Sequence, residues 1–258
     1  MNILLLDMGN TRLKWAVLQK GLDQNPLGQY GDCRHAGGDM AQILTKAWSG
    51  LSGIGQVLLA SVASDEIEAE VWSWVERVWG LPVELLRSPA SGGGVVNGYA
   101  EPDCLGVDRW LGLVGARQLT AAPVCVVDCG TAVTIDRLDG SGFHQGGLIL
   151  PGLAMMAQAL TLGADRLPGD IGLSELIAAQ NVAGLARDTT SGLAAGVLTT
   201  LVAAIDRIVV DVDRDDGASA WVLTGGDGLL LQPLLAGQWL YRPNLVLEGM
   251  AHIAGEME

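Results

Sequence analysis

Lysine is scarce in this sequence, and negative charge outweighs positive charge. The 258 residues include only three lysines and carry a formal net charge of −14. A chain with this balance repels nucleic acid and anionic membrane surfaces unless its basic residues are strongly concentrated. We therefore expect neither nucleic acid nor membrane as a partner. Any anionic substrate is expected to be held by a few local donors or by a cation.

Paired cysteines and targeting signals are also missing. The four cysteines show no CxxC pair and no zinc-ligand spacing; they are Cys33, Cys104, Cys125 and Cys129. We predict reduced core residues in a cytoplasmic protein. The first apolar run has no basic segment before it, so no signal peptide is expected. The longest apolar stretch, residues 147–164, contains Pro151 and Gly152, and it is predicted to form a strand, a turn and a helix.

What the sequence does contain is one pattern written twice. An apolar run ends in Asp7-Met8-Gly9-Asn10-Thr11, and another ends in Asp128-Cys129-Gly130-Thr131. Either copy alone is typical of an ordinary turn. Two copies about half a chain apart indicate an internal duplication. With 49% apolar and 17% charged residues, the chain is globular and long enough for two lobes with cores of their own.

Hydrophobic periodicity predicts strands interspersed with helices in both halves, which indicates an α/β fold. Strands are predicted at residues 3–8, 13–19, 29–35, 56–62, 83–86, 124–128, 132–138, 146–150, 220–223 and 239–242. Helices are predicted at residues 40–48, 64–79, 153–160 and 193–210, with a closing helix from Asn244. We assign residues 1–120 and 121–258 to two lobes, and residues 88–122 to a linker region.

Glycine-containing turns after strands suit phosphate binding. Glycine lets the backbone turn tightly and direct N–H groups at an anion, and a hydroxyl such as Thr11 or Thr131 adds a donor. The carboxylates of Asp7 and Asp128 would repel phosphate, but each can hold a cation beside it. Lys14 is the one lysine near such a turn. A third strand runs into Thr224-Gly225-Gly226-Asp227-Gly228, whereas the P-loop and GxGxxG signatures are absent.

These three segments resemble the phosphate-1, phosphate-2 and adenosine motifs of the acetate/sugar kinase–heat-shock 70–actin superfamily. Within it, the chain resembles the type III pantothenate kinases, a subset of which has been called Bvg accessory factors. The resemblance is carried, in family order, by residues 7–11 (DMGNT), 97–99 (NGY), 105–110 (LGVDRW), 128–132 (DCGTA) and 146–152 (GGLILPG). The family's serines near Asp188 are missing here, so Thr189 is assigned over Thr190 on a weaker match.

The resemblance implies two ribonuclease-H-like lobes in duplicated arrangement, with the nucleotide cleft between them, in a homodimer. It implies Mg²⁺ with ATP, and K⁺ or NH₄⁺ held by Asp128. ATP would contact Asp7, Met8, Gly9, Asn10, Thr11, Arg12, Leu13, Lys14 and Thr131. Pantothenate would contact Tyr99, Gly106, Val107, Asp108, Arg109 and Thr189.

Roles follow for the residues of the LGVDRW segment. Asp108 is the expected general base, because phosphoryl transfer needs a group that accepts the proton of the alcohol. From the residues alone, the pattern favours a helix N-cap at Asp108, and the resemblance reverses this preference. Arg109 could hold the pantothenate carboxylate, or pair with Glu101 or Asp103. Tyr99 suits the edge of a small-molecule pocket but also a protein core.

Three functions fit these motifs. The first is a cytoplasmic kinase that phosphorylates pantothenate to 4′-phosphopantothenate, the first step of coenzyme A biosynthesis. The second is a non-catalytic ATP-binding regulator of the Bvg accessory type, which would have no need of Asp108. The third is another kinase or phosphatase of the superfamily acting on a sugar or a polyphosphate, against which the NGY and GVDRW segments argue.

Overall fold

The structure is a computed structural model that describes residues 1–19, 27–35, 37–162, 173–179, 185–216 and 219–257. The strands are β1 (Asn2–Met8), β2 (Arg12–Leu18), β3 (Leu27–Arg34), β4 (Ile54–Ser61), β5 (Val83–Leu85), β6 (Ser91–Gly92), β7 (Val95–Val96), β8 (Val124–Cys129), β9 (Ala132–Leu138), β10 (His144–Pro151), β11 (Ala220–Thr224) and β12 (Leu240–Tyr241). The helices are α1 (Met40–Trp48), α2 (Asp65–Trp79), α3 (Val107–Leu119), α4 (Leu153–Leu162), α5 (Leu173–Ala179), α6 (Thr189–Asp216), α7 (Gly228–Leu231) and α8 (Leu245–Glu256).

Two five-stranded sheets carry the fold, and they share one topology. The first has the order β3-β2-β1-β4-β5 and the second β10-β9-β8-β11-β12. In each sheet, the first two strands in chain order form an antiparallel hairpin: β1 with β2, and β8 with β9. The first strand also pairs in parallel with the fourth: β1 with β4, and β8 with β11. This common order confirms the predicted α/β fold with two duplicated lobes.

By backbone contacts the chain divides into two compact units. Unit 1 comprises residues 1–119, 142–144 and 244–258, and unit 2 comprises residues 120–141 and 145–243. The closing helix α8 therefore belongs to unit 1 by its contacts. The lobe assignment of residues 1–120 and 121–258 stays a prediction of the sequence.

In unit 1, helices α1 and α2 bury an aromatic cluster. Asp39 caps α1 by accepting a hydrogen bond from the Gln42 N–H, and α2 ends at Gly80, whose φ of 66° is the left-handed conformation typical of a glycine cap. The Trp74 ring meets the edges of Trp48 and Trp79 at centroid distances of 5.1 and 5.0 Å. These three tryptophans confirm the packing role predicted for most of the tryptophans in the chain.

Residues 88–122 are not a linker, which corrects the sequence-based assignment. They contain α3, in which Trp110, Leu111, Leu113 and Val114 are all buried. Helix α3 packs against α8 in unit 1. The consecutive glycines at residues 92–94 suggested a loop, whereas Gly115, further along the segment, lets the two helix backbones approach closely. A Cβ built on Gly115 would lie 2.5 Å from the Leu245 carbonyl oxygen.

Gly112 and Gly115 of α3 provide a matched pair of substitutions. Gly115→Ala is expected to destabilise the protein by about 1–3 kcal/mol, because the new methyl group meets the backbone of α8. Gly112→Ala is expected to stabilise it by up to about 1 kcal/mol, because a Cβ there meets no atom of the described chain within 4 Å and alanine favours helix. Denaturant unfolding measures both, and equal changes in free energy would contradict the close helix contact.

The cysteines divide into two groups. Cys125 and Cys129 are fully buried in unit 2, as predicted, and burial raises the pKa of the Cys125 thiol to about 12. Cys33 is half-buried and packs against the core of unit 1, whereas Cys104 is exposed and is not a core residue. Cys104 ends a one-turn 3₁₀ helix, Pro102–Cys104, in which no residue is buried.

Helix α6 is longer than predicted and includes the whole of residues 193–210. Ala194, Val197, Leu201, Ile205 and Val209 fall at helical spacing and are buried in the core of unit 2. Its segment Thr189–Asp213 is also long and apolar enough to cross a membrane, a test that core helices of soluble proteins pass as well. One third of the apolar window is buried, on the face that packs into the core of unit 2.

Candidate active site

The first predicted phosphate turn joins β1 to β2 in unit 1. The Gly9 N–H donates to the Arg12 carbonyl at 3.0 Å, which closes the turn. Asp7 and Lys14 lie directly opposite each other in the hairpin, next to the turn. Met8 and Leu13 are buried beneath it, whereas Asn10 and Arg12 are exposed and Thr11 is half-buried. The hairpin therefore places the Asp7 carboxylate, the Lys14 ammonium group and the turn at the same end of the sheet.

His35 holds this turn from the end of β3. Its backbone N–H donates to the Thr11 carbonyl at 3.1 Å, and its Nε2 lies 2.9 Å from the Gly9 carbonyl oxygen. His35 belongs to no sequence motif, so no role was predicted for it. Its position follows only from the pairing of β3 with β2.

The second predicted phosphate turn joins β8 to β9 in unit 2. The Gly130 N–H donates to the Ala132 carbonyl at 3.1 Å, so this turn is closed in the same way with one residue fewer. Asp128 is half-buried and lies opposite Thr134, as Asp7 lies opposite Lys14. The Thr131 side chain is exposed, and its carbonyl accepts from the Gly152 N–H at 3.1 Å.

The glycine-rich segment after β11 packs against this second turn. Thr224 lies beside Asp128 in the parallel pair of β11 and β8, and the Asp227 N–H donates to the Cys129 carbonyl at 3.0 Å. A Cβ on Gly225 would lie 2.5 Å from Asp128 Oδ1 and would overlap the Cys129 backbone. Gly225 also has a φ of 89°, a conformation that favours glycine. Within unit 2, the structure thus brings the second and third motifs together.

A loop in unit 1 carries the residues predicted to contact pantothenate. Asn97 is buried, and its amide donates to the carbonyls of Pro89 and Pro102 at 3.2 and 3.1 Å. The Tyr99 N–H donates to the Asn97 side chain at 3.0 Å. Asn97 thus connects both ends of the loop and fixes the position of the Tyr99 backbone. From the sequence, Asn97 was a motif residue with no such role.

Tyr99, Arg109 and His144 form one cluster of side chains. The Arg109 guanidinium donates to the Tyr99 hydroxyl at 2.9 Å and lies 5.6 Å from the centre of its ring. The His144 ring stacks on Tyr99 with a centroid distance of 5.8 Å and an angle of 13°. A side chain at Gly98 would overlap the His144 carbonyl. The loop therefore closes tightly on His144, a second histidine that the sequence analysis left without a function.

Asp108 lies in the first turn of α3, one residue after the helix begins at Val107. The alternative of a helix cap is therefore wrong, although Asp108 Oδ1 accepts a hydrogen bond from the Arg109 N–H at 2.7 Å. The partial positive charge of the helix N-terminus favours an ionised carboxylate here. A Cβ on Gly106 would lie 2.8 Å from the same oxygen, so glycine leaves the carboxylate room. Val107 is buried and anchors the turn.

Thr189 is the first residue of α6 in unit 2, and its side chain is exposed. Asp188 precedes it and accepts a hydrogen bond from the Ser191 N–H at 2.9 Å, which caps the helix. This bond lowers the pKa of the Asp188 carboxyl. The assignment of Thr189 as a substrate contact stays a prediction.

The chain is similar in sequence to curated proteins over nearly its whole length. The family profile for type III pantothenate kinase matches residues 3–211. A type III pantothenate kinase from Nitrosococcus oceani is 38% identical, with 98% of this chain and 93% of the relative covered. One from Halorhodospira halophila is 39% identical, with 96% of each chain covered.

Solved structures show the same fold. A protein assigned to the Baf family of transcriptional activators from Campylobacter jejuni superposes with a TM-score of 0.58 at 21% identity, over 98% of both chains. The activator of 2-hydroxyisocaproyl-CoA dehydratase from Clostridium difficile, solved with ADPNP, has a TM-score of 0.58 at 14% identity, over 98% of this chain and 93% of the other. At such identities these likenesses concern the fold alone, which is that of the actin-like ATPases. The family profile matches most of the chain and these relatives match nearly all of it, and the chain belongs to the type III pantothenate kinase family.

Proposed function

We propose that this protein transfers the γ-phosphoryl group of ATP to the primary hydroxyl of pantothenate, the first step of coenzyme A biosynthesis. The observation that carries the proposal is the similarity to type III pantothenate kinases, which spans 98% of the chain in one relative. The cluster of Tyr99, Asp108 and Arg109 in one loop and helix start supplies a base and a carboxylate ligand. A regulator that only binds ATP would not need them.

Asp108 is the proposed general base. Phosphoryl transfer depends on positioning and charge neutralisation, and one group must accept the proton of the attacking alcohol. Arg109 is the proposed ligand of the pantothenate carboxylate, since a planar guanidinium pairs with carboxylate through two parallel hydrogen bonds. Its hydrogen bond to Tyr99 and the stacking of Tyr99 on His144 hold the guanidinium in place before substrate binds.

The two strand turns are the proposed phosphate ligands. Backbone N–H groups of residues 10–12, the Thr11 hydroxyl and Lys14 would bind phosphate oxygens of ATP, as would Thr131 in unit 2. No three His, Cys, Asp or Glu side chains of the described residues group as a metal site. Mg²⁺ is commonly held by substrate phosphates and only one or two carboxylates. The Asp7 carboxylate is the proposed protein partner, and the ion would neutralise phosphate charge.

The test of this function is ADP release measured with and without pantothenate. We expect release that depends on both ATP and pantothenate, with one 4′-phosphopantothenate formed per ADP. Pantothenate-independent ADP release, or ATP binding with no product, would contradict the kinase function and favour the regulator. We place the enzyme in the cytoplasm, where ATP is available and its four free cysteines stay reduced.

Asp128 is the proposed ligand of a monovalent cation. Its Oδ1 and the Cys129 carbonyl oxygen both lie within 2.5 Å of the position that a Cβ on Gly225 would take, so two oxygen ligands of the kind that K⁺ accepts lie close together. We expect activity to rise when Na⁺ is replaced by K⁺ or NH₄⁺, and Asp128→Ala to abolish this difference. Asp139→Ala, at the far end of β9, is the control and should keep the response. A K⁺ response that survives in Asp128→Ala would place the ion elsewhere.

A homodimer is the proposed assembly, with Thr189 of one chain near Asp108 of the other. Unit 2 exposes apolar side chains on β10 and α4, which follow each other in the chain; they are Leu148, Ile149, Met155 and Leu160. Exposed apolar surface of this kind marks contact with a partner, and a second copy supplies one.

Mixed dimers test the shared site. Asp108→Asn and Thr189→Trp chains should each be inactive alone, and verified heterodimers should recover one working site per dimer. Ultracentrifugation gives the assembly state, and ADP release gives the activity. A monomeric wild-type protein, or inactive heterodimers, would contradict the sharing of the site.

A further inference from the structure

His35 contacts both ends of the β1–β2 turn and is only 4% exposed. Its backbone N–H binds the Thr11 carbonyl, and its imidazole Nε2 binds the Gly9 carbonyl at 2.9 Å. A carbonyl oxygen can only accept a hydrogen bond, so Nε2 carries the hydrogen and donates it. The side chain therefore adds a second hydrogen bond to the turn, separate from the one that the backbone donates.

These two hydrogen bonds determine where the N–H groups of the turn point. The described peptide bonds are all trans, and in a trans peptide the carbonyl and the following N–H point in opposite directions. Because the Gly9 and Thr11 carbonyls face His35, the N–H groups of Asn10 and Arg12 are turned away from it. N–H groups that converge on one side of a turn bind anions, and carbonyl oxygens on that side would repel them.

In unit 2 the equivalent turn is held by a backbone hydrogen bond from a glycine. Gly152 follows the third strand of its sheet, as His35 follows β3, and its N–H binds the Thr131 carbonyl at the 3.1 Å seen for His35 and Thr11. There a Cβ would overlap the Gly130 and Thr131 carbonyls, so no side chain fits. The residue after the third strand is thus a glycine in unit 2 and a histidine, whose side chain donates, in unit 1.

We propose that His35 is a positioning residue for nucleotide binding. Its Nε2–H turns the Gly9 carbonyl away from the phosphates and so orients the adjacent Asn10 N–H toward them. The proposal rests on the proposed function only in that the turn binds the phosphates of ATP. It requires no contact between His35 and ATP.

The test compares His35→Gln with His35→Met. Both side chains are unbranched and of similar length, but only the glutamine amide can donate to the Gly9 carbonyl. Affinity for a non-hydrolysable ATP analogue, measured by calorimetry without pantothenate, is expected to fall about tenfold in His35→Met, the equivalent of one buried hydrogen bond. It should fall less than about threefold in His35→Gln, which is less than about half of that bond's free energy. The KM for pantothenate should be unchanged in both, which a general loss of structure would not permit.

Thermal unfolding measures the fold separately, and His252→Met, on α8, is the histidine control. Equal affinity in the methionine variant and the wild type, or equal loss in both variants, would overturn the proposal. If His35→Met fails to fold, His35→Ala is measured with and without added imidazole, and no recovery of affinity counts against it. A wild type that binds the analogue but forms no 4′-phosphopantothenate contradicts the proposed function and still allows this test.

Discussion

Asp108→Asn is expected to lower kcat by about 10²–10⁴-fold, the contribution typical of a general base. The amide cannot accept the proton of the pantothenate hydroxyl. It keeps the oxygen that receives the Arg109 N–H, so the start of α3 should be preserved. The KM values for ATP and pantothenate should change little, because the substitution acts on the proton transfer. Steady-state kinetics with both substrates varied measures this.

Asp103→Asn is the control for this substitution, since Asp103 is an exposed carboxylate on the same loop. It should retain nearly all activity, and both variants should unfold at the wild-type temperature. An Asp108→Asn enzyme that binds both substrates and keeps most of its kcat would show that another group accepts the proton.

Gly225→Ala is expected to destabilise unit 2 by about 2–5 kcal/mol and to abolish ATP binding. The new Cβ would overlap the Cys129 backbone and lie 2.5 Å from Asp128 Oδ1. The φ of 89° adds strain that a residue other than glycine bears poorly. Both effects push the third motif away from the β8–β9 turn. Denaturant unfolding and calorimetry with ATP measure the two losses.

Gly226→Ala provides the neighbouring control. A Cβ at Gly226 meets no atom of the described chain within 4 Å, and the residue is exposed. Its unfolding free energy should stay within about 0.5 kcal/mol of the wild type, as for ordinary surface substitutions. If both alanine variants bind ATP as the wild type does, the packing of Gly225 against Asp128 and Cys129 has no bearing on the site.

The hairpins of the two sheets were predictable from the sequence because their signals are local. An apolar run followed by Asp, Gly and Thr specifies a buried strand and a tight turn, and both turns lie where predicted. The roles of His35 and His144 were not predictable in this way. His35 reaches Gly9 only because β3 pairs with β2, and His144 reaches Tyr99 from 45 residues further along the chain.

The linker assignment of residues 88–122 was wrong for a related reason. It followed the loop-rich residues 88–98 with their consecutive glycines at 92–94, and a helix starting at Asp108 was only an alternative. The free energy that stabilises this segment comes from α8, whose Leu245 and Gly249 lie about 130 residues away. A local pattern cannot report a partner at that distance. The same holds for Gly106, whose role becomes clear only beside the Asp108 carboxylate.

The membership of α8 in unit 1 has a consequence for biosynthesis. Residues 120–141 and 145–243 are inserted between the parts of unit 1, so the ribosome completes unit 2 before it delivers the last helix of unit 1. Until then, the buried face of α3 has no cover from α8, and an incomplete domain exposes apolar surface that promotes aggregation. Unit 2 should therefore become protease-resistant first on stalled nascent chains, although its sequence emerges second. Release of residues 244–258 then lets α3 and α8 dock, and the Asp108-bearing helix gains its native support only at that stage.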